Sequence, residues 1–324
     1  MDKHKHYIEE HIQRFLKDSP HIKRFGQSRF LYNAKRDEKC IPLLAGGGSG
    51  HEPAHFGYIG QGMLAGAIAG DLFIPPTPQE IIAAIRFLDK GQGVFVIIKN
   101  FLADIKVFQK AIEVCRQEGR DIRYIISHDD ISVEERFSIR HRGVAGTLFL
   151  HKILGQAAQE GASLEHLEQL ALKLAPSIAT LGVATRAPHC LLSQKPLFHL
   201  QEGFISYGVG IHGEAGYRTV PFISSEKLAI ELINKLRLFF RWKEGQGFAL
   251  LINNLGQTPP DVIQQFQEQV LDLLDIEGLK IEFVHSGRFM TNLDMEGISL
   301  SLCDIRDHRW IEWLSAETTA PAWQ

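Results

Sequence analysis

The chain has 324 residues, enough for two domains or one large α/β body with ample core. Its 35 Lys plus Arg against 38 Asp plus Glu leave a formal net charge of -3, which gives no electrostatic reason to expect direct nucleic-acid binding. Cys40, Cys115, Cys190 and Cys303 lie far apart without a CxxC, so neither a zinc ribbon nor a disulfide framework is written, and a reducing cytoplasm fits.

The polar N-terminus, MDKHKHYIEEHIQRFLKD, has no apolar h-region, and no apolar run elsewhere reaches the length of a membrane span. A soluble, cytoplasmic protein with no membrane partner is expected. Ile8, Ile12, Phe15 and Leu16 recur at helical spacing among charges and predict an amphipathic helix lying on the body. IPLLA (41 to 45) predicts a buried strand feeding a GGGSG loop whose backbone can approach a ligand closely. A helix at Ile81–Leu88, a strand at GVFVIIKN (93 to 100), a helix at Val107–Gln117 and a strand at IRYIIS (122 to 127) follow. Such alternation argues for βαβ units and a mostly parallel sheet.

From Gly143 to Leu174 the periodicity is helical, with breaks expected near Gly155 and Gly161. A domain boundary is placed around residue 180, giving domains 1–180 and 181–324. In the second, FISYGVGIHGEAG (204 to 216) reads as a strand entering another glycine loop. Helix 225 to 240, strand 248 to 254, helix 260 to 275, strand 280 to 286 and the apolar run GISLSL (297 to 302) complete it. The fold class is α/β: two α/β domains, with largely parallel or mixed sheets flanked by helices. The basic run RLFFRWK (237 to 243) reads as a partly buried helix end.

His51, Glu52 and His55 match HExxH formally, but Pro53 between the histidines and the preceding glycine loop exclude the continuous helix that a catalytic zinc site needs. Neither GxxxxGK[ST] nor GxGxxG occurs in this segment, so no nucleotide cofactor is expected. What remains is a strand, a glycine loop and a histidine at the place where open α/β sheets hold ligands. His51 is either a ligand-facing acid or base, or a loop histidine bonded to backbone. Lys99, Asn100 and Asp104 fall at or just past another strand end; Asp104 is either a site group or a helix N-cap. His212, between glycines, is either a nucleophile able to add to a ketone carbon or a strand-end core histidine.

Taken together, GGGSGHEPAH, GYIGQGML, the Lys99–Asn100–Asp104 pattern, RHRGVAGT (140 to 147), GVGIHGE and LINNLG closely resemble the dihydroxyacetone-binding subunit of the phosphotransferase-dependent dihydroxyacetone kinases, in order and over essentially the whole chain. The resemblance implies two α/β domains in a homodimer, no cofactor or metal on this chain, and dihydroxyacetone held between the glycine loop and the C-terminal domain. It further implies a hemiaminal on His212, proton transfer by His51 with Asp104, and substrate contacts from Gly48, Ser49, Gly50, Lys99 and Asp104.

Departures are specific. The chain reads FIPPTP, with Pro75 where kinase subunits usually carry a serine; it also reads KNFLAD for KNYTGD and GEAG for GEPG. The pattern is similar to the family's non-kinase paralogue, a coactivator that binds dihydroxyacetone and partners a TetR-type transcription factor. The alternative is a kinase subunit presenting dihydroxyacetone to a separate nucleotide-bearing subunit.

Overall fold

In the computed structural model, residues 3–132 and 141–324 are described, so Arg140 of the RHRGVAGT motif lies outside the described residues. The chain divides into two compact units. The first comprises Met1–Ser127, Thr147–Ala175 and Ala316–Gln324; the second comprises His128–Gly146 and Pro176–Ser315.

Unit 1 begins with helix α1 (Lys3–Asp18), which buries Ile8 and Ile12 one turn apart, as its periodicity predicts. Its sheet comprises β1 (Ile22–Arg24), β2 (Phe30–Asn33), β3 (Leu43–Ser49), β4 (Gly66–Leu72), β5 (Val94–Lys99) and β6 (Ile122–Ser127), in the order β1-β2-β4-β3-β5-β6. Strands β4, β3, β5 and β6 are parallel, while β1 and β2 add an antiparallel margin, so the sheet is mixed. Helix α2 (Pro78–Leu88) connects β4 to β5, and α3 (Leu102–Gln117) connects β5 to β6.

Val94, Val96 and Ile98 pack with Ile81, Ile85, Phe108 and Ile112 of these helices. The alternate residues Phe95 and Ile97 are equally buried, on the face where α4 (Thr147–Gln159) and α5 (Leu164–Leu174) meet the sheet. Cover on both faces explains why GVFVIIKN is continuously apolar instead of alternating. A capping box starts α2: Thr77 accepts from the Glu80 N–H, and the Glu80 carboxylate accepts from the Thr77 N–H at 2.8 Å. Losing such a cap costs about 1 kcal/mol.

Two local expectations change. The glycines after IPLLA belong to β3 itself, because without side chains they pair directly with β4; a Cβ on Gly46 would collide with the Ile68 carbonyl. Gly155 does not break α4, where it admits the Met63 backbone to close approach, whereas Gly161, at φ 90°, does follow a helix end.

The C-terminal segment returns to unit 1. Ala322 N–H donates to the Gly57 carbonyl at 2.9 Å, Lys152 Nζ to the Ala316 carbonyl at 2.6 Å, and Thr318 Oγ1 to the Gln61 carbonyl at 2.6 Å.

Unit 2 contains β7 (Ile178–Arg186), β8 (Phe204–Tyr207), β9 (Arg218–Pro221), α6 (Ser225–Phe240), β10 (Gly247–Asn254), α7 (Pro260–Ile276), β11 (Lys280–Gly287), β12 (Glu296–Asp304) and α8 (Arg309–Ser315). The sheet order is β11-β10-β12-β7-β8-β9, and only β10 and β11 run parallel. Leu228, Leu232 and Leu236 of α6 and Phe266, Val270 and Leu274 of α7 pack with Leu250, Ile252, Leu300 and Leu302 of the central strands. Phe239, Phe240 and Trp242 are partly buried against this core, so RLFFRWK is a helix end. The protein is thus two α/β units with mixed sheets flanked by helices. Among the described residues, no helix is long and apolar enough to cross a membrane.

Candidate functional site

In unit 1 the candidate residues gather at the carboxyl ends of the parallel strands. Strand β3 is the switch point: the chain goes from β3 to β4 on one side, then by α2 to β5 on the other. Gly48 and Ser49 end β3, Gly50 and His51 follow it, Lys99 ends β5, and Asp104 lies in the first turn of α3.

The loop after β3 is tightly seated. Ser49 Oγ donates to the Gly70 carbonyl at 2.9 Å, so its hydroxyl fastens β3 to β4. Gly50 adopts φ 101°, and a Cβ there would stand 2.8 Å from Leu72 and Phe73 side chains. Its N–H donates to Glu52 at 3.0 Å. His51 is fully buried, with its ring centroid 5.3 Å from that of Phe73. Residues 52 to 55 form turns and Phe56–Tyr58 a short 3-10 segment, so His51 and His55 do not share a helix turn.

Lys99 is 1% exposed. Its amino group donates to the Gly46 carbonyl at 2.9 Å and lies 2.8 Å from Nε2 of His55, which as a neutral imidazole accepts a second bond. Gly47 must lack a side chain because a Cβ would collide with Lys99 Nζ and stand 3.0 Å from Asp104 Oδ1. Lys99 and Asp104 therefore both face the β3 backbone.

Burial lowers the Lys99 amine from its ordinary value, against the opposing charge of Asp104; burial raises the Asp104 carboxyl, against the charge of Lys99 and its own backbone N–H. Asp104 is not the helix N-cap; Phe101 holds that position, and Asp104 Oδ1 is buried with no hydrogen bond among the described residues.

Sequence reasoning missed the group behind Lys99. Burial pushes His55 well below its ordinary pKa, reinforced by Lys99 and by His151 and His51. His151 of α4 lies 5.4 Å from the His55 ring, centroid to centroid, and burial with the Lys99 charge brings its pKa down to about 3. The HExxH match marks His55 for a different chemistry, whereas no local pattern marks His151 within an apolar helix.

In unit 2, His212 is half-buried in the loop after β8. Its backbone N–H donates to one oxygen of Glu214 at 2.8 Å; the other oxygen accepts from Arg142 at 2.7 Å. Arg142 also donates to Asp130 at 2.6 Å and to the Gly208 carbonyl at 2.7 Å. Burial weakens the guanidinium charge, but Asp130 and Glu214 outweigh it, leaving the Arg142 pKa raised. Asn292 Nδ2 donates to the Gly210 carbonyl at 3.2 Å. Gly208, at φ 76°, makes the turn that β-carbon residues avoid.

Of the positions that depart from the kinase pattern, Pro75 is half-buried, while Leu102, Ala103 and Ala215 are exposed.

Residues 13–322 match the Dak1 domain. The chain is 52% identical to the DhaKLM operon coactivator DhaQ of Lactococcus lactis subsp. lactis, over 94% of this chain and 93% of that protein. It is 42% identical to the dihydroxyacetone-binding subunit DhaK of the PTS-dependent dihydroxyacetone kinase of the same organism, over 87% of this chain and 86% of that one. Among solved structures, the dihydroxyacetone kinase operon co-activator Dha-DhaQ superposes with a TM-score of 0.94 at 50% identity, covering 97% of this chain and 98% of that one. By sequence and by fold, the chain belongs to the Dak1 domain family.

Proposed function

We propose that this protein is a dihydroxyacetone-sensing coactivator: it captures the ketone covalently on His212 and acts on a TetR-type transcription factor controlling dihydroxyacetone utilisation. The observation that carries this reading is 52% identity, over 94% of the chain, to a DhaKLM operon coactivator. His51, Lys99, Asp104 and His212 match the capture residues on which the resemblance rests.

On this reading, a ring nitrogen of neutral His212 adds its lone pair to the ketone carbon, and the carbonyl π pair moves to oxygen. That oxygen takes up one proton, and the other ring nitrogen releases one, giving a neutral carbinolamine. His51 and Asp104 are the proton carriers. Lys99 supplies a donor to a ligand oxygen, and the loop backbone of Gly48, Ser49 and Gly50 supplies the remaining contacts to it.

Dihydroxyacetone labelled with carbon-13 at its carbonyl tests the capture step. The ketone resonance should move to the tetrahedral region on binding, and His212→Ala should abolish that signal. Glycerol, which lacks a carbonyl, should give no adduct.

The second reading, a substrate-binding kinase subunit, is favoured by 42% identity to a DhaK subunit. Mixing the protein with a competent nucleotide-bearing subunit, its phosphodonor system and dihydroxyacetone separates the two. No phosphorylated product above background, with tighter regulator binding when dihydroxyacetone is present, supports the coactivator. Robust phosphorylation without a ligand-dependent gain for the regulator supports the kinase subunit.

A further inference from the structure

We infer that Arg142 and Glu214 are positioning residues for His212, fixing its loop so that the imidazole is presented in one orientation. The inference rests on the proposed nucleophilic role of His212, but the geometry beneath it lies wholly within unit 2.

Three backbone groups of the loop, at alternate positions, are held by side chains. The Gly208 carbonyl accepts from Arg142 at 2.7 Å, the Gly210 carbonyl from Asn292 at 3.2 Å, and the His212 N–H donates to Glu214 at 2.8 Å. Arg142 couples the first of these to the third, because its guanidinium reaches both the Gly208 carbonyl and Glu214. The far side of the guanidinium is anchored on Asp130, whose side chain is 3% exposed, and on Ser132 Oγ at 3.2 Å. A planar fork with five fixed donors can satisfy four acceptors in different directions, whereas a lysine ammonium cannot reproduce that geometry.

Gly210 fits the same device. A Cβ there would overlap the Glu214 carboxylate and the Arg142 guanidinium, so this glycine clears space for a charged clamp that removes mobility. Gly216 serves a separate purpose, admitting the Tyr207 carbonyl to close approach. An imidazole that must meet a carbonyl carbon along a narrow approach gains rate from such fixation, because a misplacement of about 1 Å can cost about a hundredfold.

The test combines two measurements on the full chain. In ligand-free protein, hydrogen exchange of the His212 amide should be slow, and about tenfold or more faster in Glu214→Ala, with the rest of unit 2 unchanged. Glu214→Gln, which keeps an acceptor oxygen, should restore most of the protection. With carbon-13 dihydroxyacetone, Glu214→Ala and Arg142→Lys should slow appearance of the tetrahedral resonance about tenfold, with Glu214→Gln intermediate.

If the wild type forms no adduct, the covalent reading falls while the exchange measurement still decides whether the clamp orders the loop. Wild-type exchange at His212 in Glu214→Ala overturns the positioning role. So does faster exchange spread evenly through unit 2, or a wild-type adduct rate in Glu214→Ala.

Discussion

Lys99 places its amino nitrogen 2.8 Å from Nε2 of His55 in an interior where neither residue is more than 5% exposed. The pair holds an amine at the carboxyl end of β5 at the expense of solvation. Replacing Lys99 by Met keeps the side-chain length but strands the buried Gly46 carbonyl, His55 Nε2 and the Asp104 carboxyl, so folding stability should fall by about 3 kcal/mol. Dihydroxyacetone affinity should also fall by about tenfold, since the ligand loses a charge-assisted bond. Thermal melting and calorimetric titration of the variant check both halves.

His151 gives stability a defined pH dependence. It titrates near 6.5 when unperturbed and at about 3 in the fold, so between those values the unfolded chain binds a proton that the folded chain does not. Stability contributed by this group is complete above 6.5 and falls as the pH drops toward 3. The loss between pH 6.5 and 5 is about 2 kcal/mol from this residue alone. Urea midpoints at several pH values should show a steeper acid decline for wild type than for His151→Gln. Equal slopes would remove His151 as the cause.

Gly47→Ala should damage the site more than a glycine-to-alanine change ordinarily does. The new methyl group meets Lys99 Nζ, which is tied to Gly46 and His55 and cannot simply swing aside. A loss of about 1–3 kcal/mol is expected from overpacking. Ligand binding should be lost in the variant, including at temperatures where it remains fully folded by circular dichroism.

Deleting residues 316–324 removes buried Ala320 and Trp323 and the hydrogen bonds to Gly57 and Gln61. A cost of about 3 kcal/mol or more is expected. Hydrogen exchange should rise first around residues 57–62, a few positions after His51 and His55. Protection there equal to that of the intact chain would mean that the tail does not support this segment.

Much of this architecture is written locally. GVFVIIKN carries its strand in an unbroken apolar run, and α6 and α7 carry theirs in helical periodicity. Strand β4, GAIAGDL, was not legible because its small residues show neither alternation nor bulk; its place is set by pairing with β2 and β3. The site behaves the same way. Motifs marked His51, Lys99, Asp104 and His212 as residues, but the meeting of Lys99 with His55 joins positions 44 apart, and Arg142 with Glu214 positions 72 apart. Such pairings depend on strand order, which no window of sequence contains.

The path of the chain between the units has a consequence for recombination. The backbone passes from one unit to the other after residues 127, 146, 175 and 315, so each unit is assembled from separated stretches. A single crossover with a homologous gene, wherever it falls, gives at least one unit that mixes stretches from two parents. A clean exchange of unit 1 between two relatives therefore requires three stretches to be transplanted together. Chimeras built that way should fold more often than those joined at one midpoint, even at equal numbers of exchanged residues, because the parental contacts within each unit remain intact.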